Sequence, residues 1–381
     1  MKNFRLFTYM YLVLLMFLFL SGCASNNRTC LQYIQVMQGG ISTNQCVDWY
    51  DPDAKVKAPK VKAPAPVKIF KFGFIDITGK MVIKPQFSNA YGFSEGLAQV
   101  KIGNKWGFID KTGKIVIKPQ FTHVRSFSEG LAVIKMGDYG GIWGAIDKTG
   151  KISIEPQFAI LRSFARGLAT VKTFEQKWGI IDKTGKFVIK PQFDELPYFL
   201  AKGLVEVKIG DKWGFIDKTG KVVIKPQFSY AMGFSEGLAA VKVGEKYGFI
   251  DKAGETVIGQ RFSWAMAFSE GLAVAQIGEK YGFIDRTGKV VIKPQFSDAW
   301  SFNEGLAIVR IGKKSGFIDK TGKTVIGIKY GQTSRFSMGL TWVKIRKKYG
   351  YIDKTGKVVI KPQFSDARGF HDGLAAVKVE M

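Results

Sequence analysis

The sequence predicts a mainly β fold, a tandem array of nine three-stranded β units of about 34 residues that forms an open, twisted, solenoid-like superhelix. Two observations support this prediction. A ten-residue pattern returns nine times along the chain, and short apolar segments separated by turn residues follow each copy. In addition, no window places apolar residues at positions i, i+3, i+4 and i+7 over successive turns, as an amphipathic helix requires.

The recurring pattern is KWGFIDKTGK at Lys212–Lys221, and its aspartate marks the period. Successive aspartates are 34, 37, 35, 35, 34, 34, 34 and 34 residues apart. A packing unit that cannot bury its own apolar face must be repeated and stacked, whereas an active site needs its groups only once. The repetition therefore favours a scaffold over an enzyme. The nine aspartates are Asp76, Asp110, Asp147, Asp182, Asp217, Asp251, Asp285, Asp319 and Asp353.

One unit, Lys212–Gly244, illustrates the predicted local structure. Trp213–Ile216 and Lys221–Lys225 have the composition of two strands. The residues between them, Asp217–Gly220, suit a type I turn followed by a bulge, because aspartate can accept a backbone N–H and glycine can adopt a positive φ. A third strand is predicted at Leu238–Val243.

A glycine inside the first strand predicts a close contact. Gly214 follows Trp213, and glycine weakens a strand unless a backbone or a ring approaches it. We expect aromatic rings of one unit to lie against this glycine in a neighbouring unit. The ring position is occupied by Phe72, Trp106, Trp143, Trp178, Trp213, Tyr247, Tyr281, Ser315 and Tyr349.

A β-propeller-like ring is the alternative architecture. Propeller blades usually contain four strands in about 40 to 45 residues. The unit offers three predicted strands in a shorter period, so the open array is favoured.

The Trp-Gly pair and its flanks resemble bacterial WG-repeat proteins. The segments I-D-K-T-G-K and F-S-E-G-L-A also recur, so the resemblance covers Phe70–Val379, although Ser315-Gly316 and Ile326–Lys329 depart from the pattern. It implies a repeat architecture and no single activity. Aromatic cell-wall-binding repeats, which bind choline or glycans between hairpins, are a second resemblance, but their units are shorter. The Trp-Gly pairs are Trp106-Gly107, Trp143-Gly144, Trp178-Gly179 and Trp213-Gly214.

The N-terminal residues resemble a bacterial lipoprotein signal. Basic Lys2 and Arg5 precede a mostly apolar run, Leu6–Leu20, and the lipobox L-S-G-C ends at Cys23. The resemblance implies cleavage before Cys23 and a diacylglycerol on its thiol, which would anchor the chain in a membrane. An uncleaved anchor is the alternative, although the run is shorter than the roughly 20 residues of a spanning helix. We therefore expect an extracytoplasmic, membrane-anchored protein at the outer membrane or cell surface.

Four segments are predicted along the chain: a signal peptide at 1–22, a short N-terminal segment at 23–50, a Lys/Pro/Ala linker at 51–69 and the nine repeats at 70–381. Once Cys23 carries lipid, Cys30 and Cys46 can form a disulfide in an exported protein; two free thiols are the alternative. Only His123 and His371, both distant in sequence, could complete a zinc site, so no metal is expected. The linker is expected to be an extended spacer.

Repeated carboxylates are the strongest catalytic alternative. The aspartate of I-D-K-T-G and the glutamate of F-[SN]-E-G could form a pair suited to glycoside hydrolysis. Both recur in turn contexts, however, so we expect them to form turns. The sequence has no nucleophile elbow, zinc-protease motif, phosphate loop or dinucleotide fingerprint. No enzyme activity and no cofactor are expected. The glutamates are Glu95, Glu129, Glu236, Glu270 and Glu304.

The charge balance favours anionic surroundings. The chain has 57 Lys and Arg against 31 Asp and Glu, a net charge of +26. Lysines recur at three positions of the unit, and stacking would align them into a basic stripe that binds an anionic polymer. A solvated face that protects strand edges is the alternative. The candidate stripe consists of Lys111, Lys114, Lys118, Lys218, Lys221, Lys225, Lys354, Lys357 and Lys361.

Together these features predict a monomeric, lipid-anchored, extracytoplasmic β-repeat scaffold that presents a binding surface to a protein or to an anionic or glycan partner. The export signal favours such partners over nucleic acid. A cell-wall or surface-polysaccharide-binding module and a purely structural spacer are the alternatives, and the spacer differs in having no ligand.

Overall fold

The computed structural model describes residues 69–137, 140–196 and 203–381, which form thirty-five short β-strands. In chain order the strands are β1 (Phe70–Asp76), β2 (Met81–Phe87), β3 (Asn89–Ser94), β4 (Leu97–Ile102), β5 (Lys105–Ile109), β6 (Ile115–Phe121), β7 (His123–Val124), β8 (Leu131–Met136), β9 (Ile142–Asp147), β10 (Ile152–Phe158), β11 (Ile160–Leu161), β12 (Leu168–Lys172), β13 (Trp178–Asp182), β14 (Phe187–Phe193), β15 (Val205–Ile209), β16 (Lys212–Ile216), β17 (Val222–Phe228), β18 (Tyr230–Ala231), β19 (Ala239–Val243), β20 (Lys246–Ile250), β21 (Thr256–Phe262), β22 (Trp264–Ala265), β23 (Ala273–Ile277), β24 (Lys280–Ile284), β25 (Val290–Phe296), β26 (Asp298–Ala299), β27 (Ala307–Ile311), β28 (Lys314–Ile318), β29 (Thr324–Tyr330), β30 (Gln332–Thr333), β31 (Leu340–Ile345), β32 (Lys348–Asp353), β33 (Val358–Phe364), β34 (Asp366–Ala367) and β35 (Leu374–Glu380).

These strands form nine antiparallel sheets, which we call blades. Blade 1 has the strand order β2-β1-β35-β34, and blades 2 to 9 follow in chain order as β3–β6, β7–β10, β11–β14, β15–β17, β18–β21, β22–β25, β26–β29 and β30–β33. Blade 5 has three strands, and a single bridge between Glu195 and Lys208 extends its first edge. The other eight blades have four strands each.

The first and last strands close the nine blades into a ring. Strand β1 pairs with β35 over seven residues, from Phe70 opposite Glu380 to Asp76 opposite Leu374. The architecture is therefore a nine-bladed β-propeller, and the predicted open solenoid is wrong. Closure pairs the two sheet edges that an open array would leave exposed.

A first strand of only two residues in most blades explains why the prediction failed. In blade 6 this strand is Tyr230–Ala231, only two residues long and within a segment that has little strand character in the sequence. Four strands therefore fit into about 34 residues. The sequence unit Lys212–Gly244 also straddles two sheets, because it supplies β16 and β17 of blade 5 and then β18 and β19 of blade 6.

The predicted turn at Asp217–Gly220 is confirmed. Asp217 Oδ1 accepts the backbone N–H groups of Thr219 at 2.8 Å and Lys221 at 3.1 Å, and the Thr219 hydroxyl at 2.6 Å. These bonds, led by that of the Thr219 hydroxyl, lower the pKa of Asp217. Gly220 adopts a φ of 90°. The recurring aspartates therefore shape turns.

The glycine after each ring position lies against backbone. A Cβ atom on Gly214 would be 2.5 Å from the carbonyl oxygen of Ile224 and 2.7 Å from the nitrogen of Pro226, both in β17, the last strand of the same blade. Between Trp213 and Phe215 the pairing with this strand is bulged. The expectation that rings of a neighbouring unit cover the glycine is wrong, since the strand beside it approaches instead.

Aromatic side chains fill the spaces between blades. Phe215 of blade 5 is fully buried, and its ring centroid lies 5.0 Å from that of Phe234, which precedes the second strand of blade 6. Equivalent pairs occur at Phe108–Phe127, Phe249–Phe268, Phe283–Phe302, Phe317–Phe336 and Tyr351–Phe370. The core is thus a series of similar clusters, each shared by two neighbouring blades.

Candidate functional site: grooves between the blades

The glutamate of F-[SN]-E-G links neighbouring blades. Glu95, in a turn of blade 2, accepts the N–H of Gly130 of blade 3 at 3.0 Å, while Ser94 Oγ donates to the carbonyl of Phe127 at 2.7 Å. The predicted role in a turn is confirmed, and the glutamate also accepts a hydrogen bond that joins two neighbouring blades. The same type of carboxylate bond recurs at Glu129–Gly167, Glu236–Gly271, Glu270–Gly305, Glu304–Gly339 and Asp372–Gly96.

All nine lysines of the candidate stripe are exposed. They belong to blades 2, 5 and 9, so the ring separates their copies around its circumference and does not stack them in a straight row. One of them, Lys354, has its Nζ 3.0 Å from Glu304 Oε2 of blade 8. Lys118, Lys225 and Lys361 lie on the last strands of their blades, which are sheet edges. Their role in binding stays a prediction.

A small cleft lies between blades 2 and 3. It has a volume of about 320 Å³, and Tyr91, Gln99, Trp106 and Arg125 are among its lining residues. The rings of Tyr91 and Trp106 are 5.6 Å apart. Gln99 is buried, and its Nε2 donates to Ser126 Oγ at 3.2 Å. The cleft offers aromatic surface together with polar groups.

A larger groove lies between blades 8 and 9, with a volume of about 700 Å³. Four cationic side chains line it, and no carboxylate is among the described residues of its walls. Its other walls include Tyr330 and Gln332, and Tyr349 OH donates to Gln332 Oε1 at 3.2 Å, which holds that amide at the groove. The cationic residues are Lys314, Lys329, Lys344 and Arg346.

Sequence reasoning missed this groove, although its signal is visible in an alignment of the nine repeats. Arg346 stands where the equivalent turns have Gly103, Gly210, Gly244, Gly278 and Gly312. Lys329 stands where most last strands have glutamine, as in Gln227. In the sequence, Ile326–Lys329 is only a departure from the repeat, because the sequence does not show which part of the next blade lies beside it.

A buried carboxyl at the seam between blades 5 and 6 was also missed. Glu206 is 8% exposed, lies opposite Phe215 in the sheet, and its Oε2 has no hydrogen-bond partner among the described residues. Burial raises the pKa of Glu206 to about 7, against which its backbone hydrogen bonds act weakly. Its uniqueness among the repeats is the signal: the equivalent residues are Gln99, Val133, Thr170, Ala240, Val274, Ile308, Trp342 and Ala376.

The remaining predicted sites divide into those tested and those outside the described residues. Cys23, Cys30, Cys46 and the linker up to residue 68 lie outside. Where the structure describes the chain, no group of three or more His, Cys, Asp or Glu residues is arranged to hold a metal ion. The same residues contain no helix with the length and apolar character needed to cross a membrane.

Comparison with known proteins identifies the repeat. The family model described as "WG containing repeat" matches residues 72–106, 106–139, 143–175, 178–213, 213–247, 247–281, 281–314, 316–349 and 349–380. No curated protein matches the sequence.

Among solved structures, a eukaryotic initiation factor has a TM-score of 0.53 at 10% identity, with 76% of this chain and 94% of the other covered. BamB from Moraxella catarrhalis has a TM-score of 0.41 at 10% identity, with coverages of 82% and 98%. At such low identity, the similarity to the initiation factor concerns the fold alone.

Proposed function

Because the chain belongs to the WG-containing repeat family and its nine repeats close into one β-propeller, we propose that it is a lipid-anchored, extracytoplasmic binding module without catalytic activity. Its partner is an anionic polymer, with surface polysaccharide preferred over protein. The module is monomeric and is held at the membrane by lipid on Cys23.

One observation carries this proposal: the repeated acidic groups are engaged in hydrogen bonds with the protein's own backbone, while the repeated lysines are exposed. The aspartates of I-D-K-T-G stabilise turns, as Asp217 does. The glutamates of F-[SN]-E-G accept a hydrogen bond from the next blade, as Glu95 does. The lysines beside them, such as Lys221 and Lys225, are exposed. The ring therefore presents a basic surface, and no repeated carboxylate pair is left for hydrolysis.

Binding to charged polymers tests the proposal. The full-length chain in neutral detergent should bind lipopolysaccharide or teichoic acid at low salt, bind neutral dextran much less, and lose affinity steeply as salt rises. Changing Lys218, Lys221 and Lys225 to Gln should weaken binding less than also changing the six equivalents in blades 2 and 9, because the contacts are multivalent. Absence of binding at low ionic strength would favour the structural spacer instead.

The anchor requires a separate experiment. Metabolic labelling with palmitate should mark the protein, and Cys23→Ala should abolish the label and release the chain from membranes. Persistent label on the Cys23→Ala variant would contradict the anchor without affecting the polymer-binding result.

A further inference from the structure

The groove between blades 8 and 9 concentrates positive charge without a carboxylate among its described walls. Lys314, Lys329, Lys344 and Arg346 line it together. Lys329 Nζ lies 5.5 Å from the ring centre of Tyr330, and Lys344 Nζ lies 5.1 Å from that of Tyr349. Like charges gathered in one groove repel one another, and a bound anion would relieve that repulsion.

Arg346 occupies a backbone position that other blades give to glycine. Its φ is 55°, and the glycines at the same turn, such as Gly244 and Gly312, have φ of 56°. A side chain in this left-handed region costs about 1 to 2 kcal/mol. Strain of this kind is often retained where a side chain serves a site. Here the strained residue supplies a guanidinium to the groove.

Lys329 is a second departure at the same groove. Of the other eight last strands, six read I-K-P-Q-F and seven have glutamine before the last aromatic residue, whereas blade 8 reads I-G-I-K-Y over Ile326–Tyr330. Blade 6 also has a cation at this position, Arg261, but that side chain donates to the carbonyl of Gly288 in the next blade. Lys329 of blade 8 and Arg346 of blade 9 are independent departures from the repeat, and each adds one cation to the same groove. Lys314 and Lys344 occupy positions at which several other blades also have lysine.

We propose that the groove between blades 8 and 9 is a binding site for a phosphate monoester. The planar guanidinium of Arg346 can donate two hydrogen bonds to one phosphate, and the lysines supply point charges around a dianion. The groove volume of about 700 Å³ leaves room for the organic group that carries the phosphate. This site is independent of the proposed polymer binding, since a small ligand in the groove contacts only two blades and needs none of the nine lysines of the candidate stripe.

Pyrophosphate is the probe for the test, with the full-length chain in neutral detergent and isothermal titration calorimetry at low salt. Arg346→Gly and Lys329→Gln restore the residues of other repeats and should therefore preserve the fold. Each should weaken pyrophosphate binding, and the double variant should weaken it about tenfold or more. The matched control, Lys84→Gln with Lys190→Gln, removes the same number of charges from exposed strand edges outside the candidate stripe and should change affinity by less than about twofold.

Three results would overturn the site, and two of them come from the pyrophosphate titrations. Pyrophosphate could fail to bind at low salt, or the control pair could weaken binding as much as the groove pair, which would show general charge attraction. The source of the phosphate is decided by two further arms, a soluble sugar phosphate and vesicles with and without phosphatidic acid. If the sugar phosphate or the phosphatidic acid vesicles bind in a way that depends on Arg346, the result supports the site and identifies the source of the phosphate. If neither binds, the site is overturned. Polymer binding can survive any of these results.

Discussion

The groove between blades 8 and 9 and the seam between blades 5 and 6 are built on the same repeat but differ in charge. The groove collects Lys314, Lys329, Lys344 and Arg346, whereas the seam buries the carboxyl of Glu206. In both places a residue that departs from the other repeats supplies the difference. The comparison shows that the regular parts of each unit build the ring, while single departures give each blade boundary its own chemistry.

The two departures impose different costs on the fold. Arg346 is exposed, and its cost is confined to its own backbone at φ 55°. Glu206 is buried, and its cost is desolvation, which grows as the carboxyl ionises. The seam should therefore respond to pH through this group.

The largest expected effect concerns the ring closure that both regions share. Val377 is fully buried in β35, opposite Gly73 of β1. Val377→Asp should lower the free energy of unfolding by about 5 kcal/mol or more, because a lone charge is buried in the closing blade. Val359→Asp, at a 41% exposed valine of blade 9, is the matched control and should have little effect. Equal thermal stability of the two variants would contradict closure through β35.

The pH response of the seam is the next largest effect. The pKa of Glu206 is raised from 4.5 to about 7 in the folded chain. Relative to Glu206→Gln, the wild type should lose stability as pH rises from about 4.5 to about 7, because the unfolded chain releases the proton first. The loss should be roughly 3 kcal/mol and constant above that range.

Thermal unfolding between pH 4.5 and 8 measures this difference. The charged or titratable groups near the seam are Glu195 and Lys208 of blade 5 and Tyr230 of blade 6. Glu195 is half exposed and 3.8 Å from Lys208, so Glu195→Gln should leave the pH profile almost unchanged. Parallel profiles for wild type and Glu206→Gln would show that the carboxyl is solvated.

A third prediction tests whether blades 5 and 9 pack their last two strands together in the same way. Gly214 of blade 5 and Gly350 of blade 9, once changed to alanine, would each place a Cβ atom 2.5 Å from a carbonyl oxygen of the last strand of the blade. Alanine at either should cost about 2 kcal/mol, because the strands must separate to admit it. Gly259→Ala is the control, since its Cβ would meet no atom within 4 Å. Chemical unfolding measures the loss of unfolding free energy. Clearly different losses at Gly214 and Gly350 would show that this strand packing differs between blades 5 and 9.

The sequence predicted local structure better than assembly. The turn at Asp217–Gly220 was predictable because its hydrogen bonds join residues at most four positions apart. Ring closure was not, since it depends on how each blade turns relative to the next and on a first strand as short as Tyr230–Ala231. The groove could not be predicted for the same reason, because Lys329 and Arg346 come together only where blades 8 and 9 are neighbours.

The smallest expected effect links stability to the proposed phosphate site. Arg346→Gly should raise the free energy of unfolding by about 1 kcal/mol, because glycine adopts a φ of 55° without the steric cost that arginine pays. The reverse exchange, Gly244→Arg in the equivalent turn of blade 6, should destabilise by a similar amount and should create no pyrophosphate site, since blade 6 has glutamate at the next position, Glu245. Thermal unfolding and calorimetry on the same two variants measure both quantities. If Arg346→Gly proved less stable than the wild type, the arginine would be a structural part of its turn, and its strain would no longer support a site. If it proved more stable yet bound pyrophosphate more weakly, blade 9 would retain a costly residue for the ligand that the groove receives.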